Sequence, residues 1–327
     1  MTGLRDVVQL LTWQLILCLA IVAGSVAASL GTISSRCRRG RTAGGSPRVM
    51  HAAAASVGSC GASATTWRSR WSRVHPAWLL ASRAAAVVAL AAVLLWDAVT
   101  YDLTIMVYYT EWTFLLEIVY FVIATLFSAY GCFVYSRHHH QHFTMLPAEC
   151  DGSVLCTCSS HVEINHGVEK VGAGLYQLGL FMQILYQICG GAVVLTDVVF
   201  WALIVPFMYS AHFTLNAVMG CMHSFNLVFL LAETALNSLE FPWFRMTYFV
   251  LWTCSYVIIQ WVAHICGLAW WPYPFLNPEA PWAPLWYFSI ALLHLPCYAV
   301  YWSINVMAKN NFTDPPPRIN SCVITLE

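Results

Sequence analysis

The chain reads as an all-α protein, a polytopic transmembrane helical bundle of seven spans with its N-terminus outside and its C-terminus cytoplasmic. Three observations predict this. Hydrophobic residues make up 59% of the chain and charged residues only 9%, against about 25% charged in soluble domains. Apolar stretches of about 20 residues, the length that crosses a bilayer at 1.5 Å per residue, recur at 8–33, 78–100, 113–135, 175–204, 215–236, 246–267 and 285–307. Lys and Arg alternate between connecting segments in the way that sets orientation.

Backbone groups find no water in lipid, so each stretch is expected to be helical, valine-rich or not. The first, in the N-terminal region 1–33, follows Arg5 and has small residues at 23–29, features shared with cleavable signal peptides. Cleavage would put the most basic loop on the wrong side, so an uncleaved helix is expected. That loop, 34–76, carries Arg36, Arg38, Arg39, Arg41, Arg48, Arg68, Arg70 and Arg73 amid Ala, Gly and Ser, which suits a flexible cytoplasmic segment touching anionic lipid. Arg83, just inside the second span, is expected to snorkel to the headgroups.

The six-span membrane domain, 77–307, contains a cytoplasmic loop at 136–172 with His138, His139, His140, His142, Cys150, Cys156, Cys158, His161 and His166. Cys156 and Cys158 are separated by one residue, whereas structural zinc pairs are two to four apart, so a solvated loop is expected and no metal site or cofactor. The segments at 101–112, 205–214 and 268–284 have no Lys or Arg and are read as outer loops. Trp270, Trp271, Tyr273 and Phe275 belong to the aromatic belt that favours the headgroup layer. The tail, 308–327, holds Lys309 and Arg318 and lies inside, without a retrieval signal that would keep it in the endoplasmic reticulum. The chain is therefore expected to be a multi-pass integral membrane protein, at the plasma membrane or an endomembrane. No outer loop holds a cysteine, so no extracellular disulfide framework is expected.

Phosphate-binding glycine patterns, His-Glu-x-x-His and Gly-x-Ser-x-Gly are absent, and no motif for nucleic acid is present. Chemistry is instead carried by intramembrane polar residues, which are costly unless they function. Asn216, His223, Asn226 and Glu233 interleave at heptad spacing on one face of the fifth span, pointing inward, while Met222, Phe225, Val228, Phe229 and Leu231 take the other faces. Hydrogen bonding between helices is the plainer use of the two Asn residues. Entering from the outer side, His223 lies about 12 Å down and His294 about 13 Å into the seventh span. Thr113 opens the third span at the same surface with Glu117 one turn below, and His264 lies near the outer end of the sixth. Together they predict a polar pocket in the outer half of the bilayer. His223 and His294 on facing helices also suit a transporter or a haem carrier.

The string Thr110-Glu111-Trp112-Thr113-Phe114 opening a span, Met222-His223 with Glu233 ten residues on, and Trp261-Val262-Ala263-His264 followed by Trp271-Pro272-Tyr273-Pro274-Phe275-Leu276 resemble the androgen-induced-protein family of multi-pass membrane hydrolases. The longer Tyr108-to-Phe114 string and the seven-span length are similar to the rolling-stone-like branch and its plant relatives. The resemblance covers 77–307. It implies a threonine-type hydrolase of lipid esters, with Thr113 as nucleophile and His223 as base. Glu117, Glu233 and His264 would be candidate orienters, Asn216, Asn226 and His294 further pocket residues, and membrane lipid the substrate. The rolling-stone-like branch implies an alternative, a non-catalytic membrane protein acting through cell contact or partner binding.

The orientation makes a prediction. Asn311-Phe312-Thr313 is a glycosylation sequon on the cytoplasmic side, so endoglycosidase treatment of the expressed protein should leave its gel mobility unchanged. A shift traced to Asn311 would reverse the topology.

Overall fold

The computed structural model describes residues 13–43, 66–67, 69–71, 74–144, 166–208 and 216–312. Among them are seven long helices and no strands. The helices are α1 (Trp13–Ala43), α2 (Pro76–Tyr101), α3 (Tyr109–Thr144), α4 (His166–Val199), α5 (Ala217–Leu236), α6 (Met246–Ile265) and α7 (Ala283–Phe312). Each contains a stretch long and apolar enough to cross a membrane, so the chain is a multi-pass membrane bundle of the expected class.

Local chemistry sets the helix ends. The His75 ring accepts from the Ala77 N–H at 3.1 Å, and Pro76, whose missing N–H costs nothing at a first turn, starts α2. The Asn216 side-chain oxygen Oδ1 accepts from Met219 N at 2.8 Å and caps α5. Gly267, at φ 114°, turns the chain out of α6 while Leu268 N bonds the Ala263 carbonyl at 3.0 Å, a left-handed C-terminal stop that an L side chain would strain. α4 continues through a π turn at Phe200–Ile204 into Val205–Met208.

α4 is the axis of the bundle, with 67% of its most apolar stretch buried, against 39% or less for the others. It packs against α3, α5, α6 and α7. Gly190 and Gly191 make this possible, because the Tyr301 and Phe249 rings rest where a Cβ would stand 2.5 and 2.6 Å from their carbons. α1, outside the region of resemblance, packs against α6 and α7.

Arg83 does not snorkel. It is fully buried, with Nε donating to both Glu233 carboxylate oxygens at 3.1 Å and Nη2 to Oε1 at 2.6 Å. Nη1 reaches the carbonyls of Thr66 and Ala124 at 3.0 Å and Ser128 Oγ at 2.7 Å. Glu233 also accepts from the Tyr120 hydroxyl at 2.8 Å and Asn237 Nδ2 at 3.1 Å. The guanidinium turns inward because a carboxylate waits at its own depth. A second network joins α4, α5 and α7, with Thr234 Oγ1 2.7 Å from the Tyr186 hydroxyl and 2.6 Å from that of Tyr301.

Two parts of the basic loop are among the described residues. α1 runs on to Ala43, and the chain around Arg70 closes the end of α5. Arg70 N bonds the Leu236 carbonyl at 2.8 Å, Arg70 Nε that of Asn237 at 3.0 Å and Trp71 Nε1 that of Ala235 at 3.1 Å. These are the last carbonyls, which no helix can satisfy internally. Cys266, placed by the hydropathy inside the sixth span, is the exposed residue that ends α6. Cys150, Cys156, Cys158 and His161 lie outside the described residues, as do the side chains of His138, His139, His140, His142 and His166 and the tail beyond 312.

Removing one partner strands a buried charge, which costs about 3–5 kcal/mol. Arg83→Ala and Glu233→Leu should each lower the thermal midpoint of the detergent-solubilised protein sharply, and the pair Arg83→Met with Glu233→Leu should lower it less than either. Unchanged midpoints in the single variants would refute a structural role for the pair.

Candidate functional site

Near the bundle end that joins Tyr101 to Asn216, six of the seven helices surround a cavity of about 120 Å³. An apolar cavity of about 150 Å³ is known to hold benzene, so the space suits a short acyl segment. Its walls come from α1 (Ile21, Val22, Ser25), the start of α3 (Tyr109, Thr110), the end of α4 (Leu195, Thr196, Phe200), α5 (His223), α6 (Val250, Thr253, Tyr256) and α7 (Ile290, Ala291, His294). Tyr273, Phe275 and Leu276, from the segment between α6 and α7, close it. Hydrogen bonds hold this segment over the cavity: the Tyr273 hydroxyl accepts from Tyr109 N at 3.2 Å, and the Tyr287 hydroxyl donates to the Leu276 carbonyl at 2.8 Å.

Two histidines stand in this wall, differently held. His223, 8% exposed, stacks on Phe200 with ring centroids 3.7 Å apart. Its Nδ1 lies 3.4 Å from Asp197 Oδ1, a long bond that turns the other ring edge away from the carboxylate. The π turn begins at Phe200, three residues past Asp197, and such turns recur at functional sites. His294, 4% exposed, has Nδ1 2.7 Å from the Ile290 carbonyl and Nε2 2.9 Å from Thr253 Oγ1. Thr253 Oγ1 is in turn 2.8 Å from the Tyr109 hydroxyl.

The other expected pocket residues divide. Thr113 lies one turn inside α3 rather than at its start; it is buried, and its hydroxyl donates to the Tyr109 carbonyl at 3.0 Å. No hydrogen bond joins it to His223. Glu117 is fully buried with both carboxyl oxygens unpartnered, within electrostatic reach of Asp197. Asn226 backs the same carboxylate, on the inward face predicted for it. Met222, expected on another face, is also buried.

Asn216 is a helix cap whose amide donates to the Tyr101 hydroxyl at 2.5 Å. Glu233 is ion-paired with Arg83. His264 stacks on Trp271 with centroids 4.2 Å apart, outside the cavity wall. Both ring nitrogens of His294 are engaged by protein groups, so as arranged it has none left for a haem iron.

Sequence reasoning missed Asp197, Thr253 and Tyr109. A signal existed for the first, since Asp197 is the one charged residue within 175–204, and an intramembrane charge is a functional candidate by default. Thr253 and Gln260 are seven residues apart and both buried, a polar seam no less regular than that of α5. Comparison with protein-family models, curated proteins and solved structures finds no match for this chain.

Proposed function

We propose that this chain is a membrane-embedded hydrolase of lipid esters, working in the cavity between α1 and α3–α7. One observation carries the reading: two histidines, each fixed by a named partner, line a single apolar cavity beside hydroxyl groups. An apolar cavity draws an acyl chain from lipid, and an imidazole held in one orientation takes a proton near neutral pH, an effect of about 10²–10⁴ in rate. The resemblance to the androgen-induced-protein family assigns Thr113 as nucleophile and His223 as base. Asp197 suits the role of orienter for His223, because a carboxylate at Nδ1 fixes the tautomer and favours the imidazolium formed on proton uptake. For Thr113 to attack, its hydroxyl would leave the Tyr109 carbonyl and swing toward the cavity.

The purified protein in lipid nanodiscs should hydrolyse a long-chain p-nitrophenyl ester faster than the acetate, since each CH₂ buried from water contributes about 0.8 kcal/mol. On the assignment of His223 as base that the resemblance implies, His223→Ala and Asp197→Asn should each slow the long-chain ester by at least about tenfold. No hydrolysis by the wild-type protein of any ester offered would sink the reading and leave a non-catalytic membrane protein acting through contact with a partner.

A further inference from the structure

The geometry points to Thr253 as the nucleophile of this site and His294 as its base, a pair distinct from Thr113 and His223. The inference rests on the hydrolase reading and names the residues that perform it.

Proton positions follow from the partners. The Ile290 carbonyl can only accept, so at 2.7 Å the hydrogen between it and His294 belongs to Nδ1. In the neutral ring Nε2 then carries a lone pair, and the group 2.9 Å from it, Thr253 Oγ1, must be the donor. Thr253 Oγ1 also lies 3.4 Å from the Phe249 carbonyl of its own helix, but Nε2 is the shorter acceptor at 2.9 Å, and the Tyr109 hydroxyl 2.8 Å away donates to the same oxygen. This is the arrangement an activated hydroxyl requires: nucleophile bonded to base, base oriented by a third group through its other nitrogen. The Phe249 ring, 4.5 Å from that of His294, packs against the imidazole. Tyr109, Thr253 and His294 all line the cavity.

The contrast with the other pair is geometric. Both threonines reach a backbone carbonyl of their own helix, but Thr113 does not line the cavity and has no imidazole partner, whereas Thr253 lines it and bonds His294; His223 lines it without a hydroxyl on its ring.

In the reaction, Thr253 Oγ1 bonds to the ester carbonyl carbon as its proton passes to His294 Nε2. The carbon–oxygen bond to the alcohol breaks, and the proton on Nε2 goes to the departing alkoxide. The acyl-threonine is hydrolysed by water, which gives one proton to Nε2 and its hydroxide to the acyl carbon. The proton returns to Thr253 Oγ1, and a fatty acid leaves. The Tyr109 hydroxyl, 2.8 Å from the attacking Oγ1, is freed when Oγ1 becomes an ester oxygen and can then donate to the developing oxyanion.

The test is covalent labelling of the purified full chain in nanodiscs by a long-chain alkyl fluorophosphonate, with the adduct mapped by mass spectrometry. Thr253 should carry it, His294→Ala should abolish it, and Thr253→Ser should retain it. Thr253→Val, near-isosteric, should lose at least about 100-fold in ester turnover while keeping its thermal midpoint. An adduct on Thr113 would overturn this assignment and leave the hydrolase reading standing; neither adduct nor turnover in wild type would overturn both. Should Thr253→Val fail to fold, the wild-type adduct position decides alone, and any position other than Thr253 counts against the proposal.

Discussion

Arg83 and Glu233 meet where neither water nor headgroups can reach them, and the pair is stable because almost nothing on it is left unsatisfied. Each guanidinium nitrogen has at least one acceptor, and Glu233 gathers Tyr120 and Asn237 as well. Desolvating two charges exceeds what their attraction alone returns, so the surrounding hydrogen bonds are a condition of the fold. They tie α2, α3, α5 and the segment at Thr66 to one depth. With Glu233 pinned inward, the heptad stripe on α5 must carry His223 and Asn226 inward too. An ionic contact in one half of the bundle thus aims a histidine in the other.

The two halves use polar groups differently. Around Arg83 the donors and acceptors are matched and the space is filled. Around the histidines the packing opens into a cavity, and Glu117 keeps a carboxyl group without a partner. Such groups are costly in an apolar interior; among the described residues others stand on α3 (Glu111), α4 (Asp197) and α6 (Trp252, Gln260, His264), with Arg70 beside the end of α5. The π turn of α4 belongs to the same region, bringing Phe200 flat against His223. A bundle whose one half is closed by charge can hold a void in the other.

α1 bears on both the fold and the site. It packs on α6 and α7 and gives the cavity Ile21, Val22 and Ser25. A helix with no charge between Trp13 and Ser35 shows by composition that it enters the membrane, but not which helices it will meet, because lipid and protein interiors are equally apolar. The same ambiguity hid the roles of Tyr273, Phe275 and Leu276, which read as interfacial anchors and also roof the cavity.

Sequence by itself determined the class, the seven spans and the inward face of α5, since bilayer thickness and helix periodicity translate directly into residue spacing. It also singled out His223 and His294, because an uncharged run makes a buried imidazole conspicuous. Pairing was left to the tertiary structure. Arg83 is expected from sequence to reach for headgroups and Asn216 to line a pocket, whereas packing pairs Arg83 with Glu233, makes Asn216 a cap and places Thr253 Oγ1 2.9 Å from His294. Depth along a helix can be counted from the chain; which side chain stands opposite depends on the azimuth and approach of neighbouring helices, and those are fixed only where Gly190, Gly191 and the ion pair let specific surfaces meet.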